Sequence, residues 1–207
     1  MARLAALARN APGDHRAVNI ALVKPNEAAE AIKHAGIDIR GYRHVADTSG
    51  VKHAIKKHGN AAVEESRGQI AIGDKDISEI PAIVAEPDYR AYGTKTDLGL
   101  KAVLSFKKMP DGTVSVIEEV RTGKGTLAFK DMWKVPGARV DVSFFRAAAS
   151  NAKSDTGVVT IINQKTGEAK EISLLYTYER ILTEMVRFFP LRRTCRTRRE
   201  LMPCDCQ

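Results

Sequence analysis

The chain has 207 residues, 43% of them hydrophobic, and a formal net charge of +8. That is enough apolar material to bury a core, which excludes a disordered protein, and no run approaches the ~20 consecutive apolar residues that a membrane-spanning helix needs. The charge is uneven: residues 187–207 carry six arginines against Glu200 and Asp205, while residues 40–135 carry 16 basic and 13 acidic side chains. Half of the excess therefore sits in the last segment, and any case for nucleic-acid binding by the main domain rests on local clusters. All three cysteines, Cys195, Cys204 and Cys206, lie in the same tail. An odd count without regular spacing is neither a disulfide framework nor a zinc pattern, and it reads as exposed thiols.

Met1–Arg9 is short and is followed by Pro12 and Gly13. It opens an amphipathic helix or serves as a linker, and it is a poor secretory signal. A cytosolic or virion setting is expected.

The first well-marked helix spans about residues 26–35. Pro25 stands at its start, Ala28, Ala31, Ile32 and Ala35 form an i, i+3, i+4, i+7 stripe, and Gly36 stops it. The second is short: Asp47, Thr48 or Ser49 caps it, Val51, Ala54, Ile55 and His58 share a stripe, and Gly59 ends it. Residues 74–86 hold a turn and one helical turn around Pro81. Three strands follow, near 100–107, 113–121 and 125–134, joined by Met109-Pro110-Asp111-Gly112 and by a two-residue loop at Gly123-Lys124. That loop pairs Arg121 with Thr126, Glu119 with Ala128 and Ile117 with Lys130. It puts Ser115, Glu119, Arg121, Thr126, Lys130 and Lys134 on one face, and Val120–Leu127, Glu118–Phe129 and Val114–Trp133 on the helix-covered face. Residues 139–145 and 157–163 read as further strands, the latter turning at Lys165-Thr166-Gly167, and residues 174–189 read as an amphipathic helix.

The segment Val51–Gly59 carries the most chemistry. His53, His58, Lys52, Lys56 and Lys57 fall within seven positions. Histidine gives and takes protons near neutrality, and the lysines attract phosphate. RNA cleavage through the neighbouring 2′-hydroxyl needs a base, an acid and cations around the phosphate, and no metal. His53 and His58 stand about 140° apart around a helix, so they cannot both face one point from within a regular one, although the chain can turn away from ideal geometry at His58; the i, i+4 spacing of helical zinc ligands is absent. A protonated His58 at the helix end is favoured by ~0.3–1 kcal/mol. His58 reads equally as a packed or capping residue, and His53 with its lysines as a solvated face. Glu119, Arg121, Thr126 and Lys130 read either as cross-strand charge pairs or as the other half of a site. His15, His34 and His44 have no convergent partners and read as surface residues. A phosphate-cradling glycine loop, Gly-x-Ser-x-Gly and a two-metal acid cluster are missing.

The ordered blocks Ala35–Val45, Val51–Gly59, Gln69–Ile72, Asp76-Ile77, Ile80-Pro81, Glu118–Gly123 and Met132–Lys134 resemble the phage-encoded barnase–EndoU–colicin–RelE-like nuclease domains. These occur as C-terminal modules of phage head-morphogenesis proteins of the Mu minor-head type and are proposed RNase toxins. The resemblance covers about residues 24–135. It implies an α+β fold with N-terminal helices packed on an antiparallel β-sheet, in agreement with the elements above. It carries the family's histidine-bearing helix end onto His53 and His58, its Glu-Val-Arg strand onto Glu119, Val120 and Arg121, and its last-hairpin lysine or threonine onto Thr126 and Lys130. No head-protein domain precedes the module, and residues 136–207 follow it, so a freestanding or remnant prophage gene, or a frame-shifted tail after Ser173, is expected.

The expected organisation is an N-terminal extension or linker over 1–23, a nuclease-like domain over 24–135, an accessory strand and helix extension over 136–186, and a flexible basic tail over 187–207. The expected activity is metal-independent endoribonuclease cleavage of toxin type. His53, His58, Glu119, Arg121 and Lys130 are the catalytic candidates, and Lys56, Lys57, Lys124 and Thr126 the RNA-binding ones. No cofactor or metal is expected. RNA is the expected partner, with a cognate immunity protein or a phage head protein as a second one, and no membrane. The alternative is a non-catalytic nucleic-acid-binding or structural module of a phage particle.

Overall fold

The computed structural model describes residues 1–10, 15–96, 98–137 and 157–173. The expected strand at 139–145, the helix at 174–189 and the cysteine-bearing tail lie outside them.

Two helices follow their local signals. Helix α2 (Pro25–Ala35) starts on its proline and ends where Gly36 turns left-handed at φ 59°, its N–H bonding Ile32. Helix α3 (Thr48–His58) is capped by Asp47, whose carboxylate accepts the Gly50 N–H at 2.8 Å. Helices α5 (Asp74–Ser78) and α6 (Ile80–Ala85) replace the single expected turn, with Pro81 in the first turn of α6, where no helical N–H is required. Helix α4 (Ala61–Ser66), capped by Asn60, has only six residues and left no periodicity to detect. Within residues 1–23, read from the sequence as an extension or linker, two described stretches pack into the fold. Helix α1 (Ala2–Asn10) buries Leu4, Ala5 and Ala8 against α3 and α5, and β1 (Ala17–Leu22) joins the sheet.

The other strands are β2 (Arg43–Asp47), β3 (Tyr89–Lys95), β4 (Lys101–Met109), β5 (Gly112–Arg121), β6 (Thr126–Val135), β7 (Val158–Asn163) and β8 (Ala169–Ser173). Their order in the sheet is β1-β2-β6-β5-β4-β3-β7-β8, and only β2 and β6 pair in parallel among the described residues. The architecture is α+β. Apolar side chains of α1, α3, α5 and α6 meet Val114, Val116, Phe129 and Met132 on one face of the sheet, where α2 also packs against Tyr92, Val103, Val120 and Leu127. The opposite face buries Leu104, Phe106, Ile117 and Trp133 together with Val159, Ile161 and Ile172.

The β5–β6 ladder departs from its expected register at one place. Arg121–Thr126, Glu119–Ala128 and Glu118–Phe129 pair as anticipated, although a four-residue turn ending in left-handed Gly125 replaces the two-residue loop. Beyond Phe129 a β-bulge takes up Lys130, so Ile117 meets Asp131 and Val114 meets Lys134. Side chains alternate with period two, so one extra residue exchanges the faces of everything after it. Trp133 thus joins the Ile117 face. Lys134 does not lie beside Lys130 on the polar face; it is buried under the helices, 2.8 Å from Asp76 and 2.5 Å from Asp111.

His44 corrects a second expectation. His15 is exposed and His34 partly so, but His44 is only 1% exposed. Its Nδ1 lies 2.9 Å from Glu118, its Nε2 3.3 Å from Glu27, and Arg90 reaches the same Glu27 oxygen at 3.2 Å. Burial alone pushes the imidazole down, but the Glu118 carboxylate and then Glu27 overcome it, and the pKa stands raised to about 10. Two cations and two carboxylates thereby balance beneath α2. Glu118 lies on the helix face as its alternation required, and it is tolerated there because His44 faces it.

Candidate functional site

Helix α3 crosses β6 closely because Gly50 has no side chain: a Cβ there would stand 2.5 Å from the carbonyl oxygen of Phe129. The last turns of α3 therefore project over the bulge in β6. His53 and Lys57, one helical turn apart, are about half exposed at 48% and 46%, while His58 tucks beneath them. Asp131, the residue after the bulge, points up at all three. Its Oδ2 lies 2.8 Å from Lys57 Nζ, 3.7 Å from His53 Nε2 and 3.6 Å from His58 Nε2. The two imidazoles do converge, contrary to the angular argument from the helix. The Cβ directions do diverge, but the ring nitrogens reach a carboxylate lying between them.

His58 is held from behind. Its Nδ1 is 2.8 Å from Oε2 of Glu64, a fully buried carboxylate on α4, whose Oε1 accepts from Arg67 at 2.7 Å. Trp133 packs at 6.4 Å between ring centroids. The Nε2 atom makes no hydrogen bond, its contact with Asp131 being longer than one. Burial pushes the imidazole down, but Asp131 and Glu64 outweigh it and hold the pKa above the ordinary histidine value. Burial likewise raises the Asp131 carboxyl, and His58 with Lys57 overcomes this to hold it below the usual carboxylate range. Both shifts favour the charged pair.

These residues line a crevice of about 190 Å³, with Arg67, Gln69, Thr96, Ile117, Lys130 and Trp133 completing its wall. Of the catalytic candidates, His53, His58 and Lys130 therefore meet here, joined by Lys57 from the RNA-binding set. Glu119 and Arg121 are not in the lining. They form a neighbouring cluster, with Arg121 3.1 Å from Glu119 and 4.0 Å from Asp47, and Lys130 connects it to the crevice by standing 3.6 Å from Glu119. Glu119 is almost wholly buried. Lys56 is exposed on α3, and Lys124 and Thr126 lie at the β5–β6 turn; none of the three lines the crevice. Among the described residues, no three His, Cys, Asp or Glu side chains are grouped to hold a metal ion.

Sequence reasoning missed Glu64, Arg67 and Asp131. Asp131 carried a signal, a lone acid inside the apolar run Leu127–Trp133, but the unbroken register put Lys130 opposite Ile117 instead. Glu64 lies on a helix too short to show a face, and only the Asn60 cap marked it.

Helices laid on one face of a mostly antiparallel sheet, with a cationic crevice holding two imidazoles, form a domain of the barnase, EndoU and RelE type. The chain belongs to the phage-Barnase-EndoU-ColicinE5/D-RelE like nuclease 3 family, whose model matches residues 22–141. The protein is thus a phage-related nuclease of that type, and the matched span holds every residue lining the crevice. No curated protein and no solved structure matches the chain.

Proposed function

We propose that this nuclease is a metal-independent endoribonuclease of toxin type, cutting RNA by attack of the 2′-hydroxyl on the adjacent phosphorus. One observation carries the reading. His53 Nε2 and His58 Nε2 both lie within 3.7 Å of a single point, Asp131 Oδ2, inside a crevice that also holds Lys57, Arg67 and Lys130. Two imidazoles that close bracket one phosphodiester, as tethered acid–base cleavage requires.

His58 is the acid. Glu64 and Asp131 keep it protonated, and it delivers that proton to the departing 5′-oxygen. His53, exposed at the crevice mouth, takes the proton of the 2′-hydroxyl; Glu119 is the poorer base because it is buried against Arg121 outside the lining. The oxygen–phosphorus bond to the 2′-oxygen forms as the bond to the 5′-oxygen breaks, leaving a 2′,3′-cyclic phosphate and a 5′-hydroxyl. Lys57, Arg67 and Lys130 stabilise the charge gathering on the phosphate oxygens. Asp131 pre-aligns Lys57 and both rings, and these contacts pass to the phosphate when RNA enters.

Purified protein should cleave RNA in excess chelator, give cyclic-phosphate ends, and leave a strand with a 2′-deoxy substitution at the cut site intact. His58→Ala should lose most activity while remaining folded. Chelator-sensitive cleavage, or full activity in both His53→Ala and His58→Ala, refutes this mechanism.

A further inference from the structure

Besides His58 Nε2, two polar atoms in the crevice wall have no hydrogen-bond partner. Oε1 of Gln69 and Oγ1 of Thr96 are both shut off from solvent, and Thr96 is only 4% exposed. An unmet buried polar atom is costly, and such atoms in a native protein call for a reason. Here they belong to separate segments, each fixed by its backbone. The Gln69 N–H bonds the Glu64 carbonyl at 2.8 Å, and the Thr96 N–H bonds the Leu100 carbonyl at 2.8 Å. Neither is held in place by its own side chain, so each side chain is left to make its bond elsewhere.

The rest of the wall divides into two chemistries. Lysine, arginine and histidine attract any phosphate and do not distinguish one nucleotide from another. Ile117 and Trp133 supply an apolar surface, and Gln69 and Thr96 are the neutral hydrogen-bonding groups beside it. An apolar wall with a few neutral donors and acceptors is what reads the edge of an unstacked base. We propose that Gln69 and Thr96 form a base-recognition subsite for single-stranded RNA, taking the nucleobase next to the scissile phosphate against Ile117 and Trp133. The inference rests on the ribonuclease reading above and adds to it the source of sequence preference. A carboxamide offers a donor and an acceptor, and a hydroxyl offers either, which matches the adjoining donor and acceptor of a Watson–Crick edge. A base with the wrong order leaves both side chains unpaired, and this penalty produces the discrimination.

The test uses uncleavable probes: the four nucleoside 3′-monophosphates, with inorganic phosphate as the base-free control, titrated against the full chain. The wild type should bind its best nucleotide roughly 10- to 100-fold more tightly than its worst, the range of one well-matched base contact. Gln69→Leu and Thr96→Val should each reduce that ratio to under about threefold while leaving phosphate affinity in place. Equal affinities for all four nucleotides in the wild type overturn the proposal without any variant. So does a ratio that survives both substitutions, or a uniform loss that includes phosphate. If either variant fails to fold, Gln69→Met or Thr96→Ala takes its place under the same criterion. The two readings fail separately: base preference without RNA cleavage refutes the ribonuclease reading, whereas cleavage with flat base preference refutes the subsite.

Discussion

Replacing Glu64 by glutamine isolates the charge behind the proposed acid. Glutamine keeps the volume and still offers an acceptor to His58 Nδ1–H, but it removes the anion. In the native protein that carboxylate is fully buried, 2.8 Å from His58 and 2.7 Å from Arg67. A hydrogen bond to a charged group contributes about 1.5–3 kcal/mol and a neutral one about 0.5–1.5 kcal/mol, so the substitution forfeits about 1–2 kcal/mol of stabilisation of the imidazolium. At 1.36 kcal/mol per factor of ten, kcat/KM should fall roughly 5- to 30-fold at pH values where wild-type His58 is still protonated but the variant's is not. The sign follows from the cause of the shift. Glu64 helps to hold His58 above its ordinary value, so removing it lowers the pKa, and an acid must be protonated to act. The alkaline limb of the pH–rate profile should therefore move to lower pH, and the loss should shrink toward acid pH. The assay is kcat/KM on a short RNA across pH, with circular dichroism as the check on folding. An alkaline limb that stays in place or moves up, in a folded variant, refutes the assignment of His58 as the acid poised by Glu64.

The buried pair beneath α2 predicts a stability effect. His44→Leu should destabilise by about 3–5 kcal/mol in urea unfolding, because Glu118 loses the cation that faces it while Glu27 keeps only Arg90, and adding Glu118→Leu should recover much of the loss. Because the folded pKa of His44 is raised from 6.5 to about 10, its contribution is fully present below pH 6.5 and disappears as pH rises through about 10; the variant should lack that alkaline slope. At the α3–β6 crossing, Gly50→Ala should cost about 1–3 kcal/mol, since its Cβ would meet the Phe129 carbonyl at 2.5 Å. Gly123→Ala meets nothing within 4 Å and should stay within about 0.5 kcal/mol of wild type; equal costs at the two sites in urea unfolding would contradict this packing account.

Local order in the sequence accounts for much of the molecule. Pro25, the alanine stripe and Gly36 mark α2. Asp47, Val51, Ala54 and Gly59 mark α3, and strict alternation marks β4, β5 and most of β6. Each of these signals lies within a turn or a strand's length of the residues it governs, so the α+β class follows from them, as does the proximity of His53, Lys57 and His58. What the tertiary structure alone decided lies in contacts between distant segments. Lys57 meets Asp131, and His44 meets Glu118, each across 74 positions. One inserted residue at Lys130 turned Asp131 and Trp133 toward the crevice and Lys134 toward the helices, because alternation has a period of two and carries no memory past a bulge. The helix angle kept the two histidines apart, and it took a carboxylate from another strand, lying between them, to give them a common point.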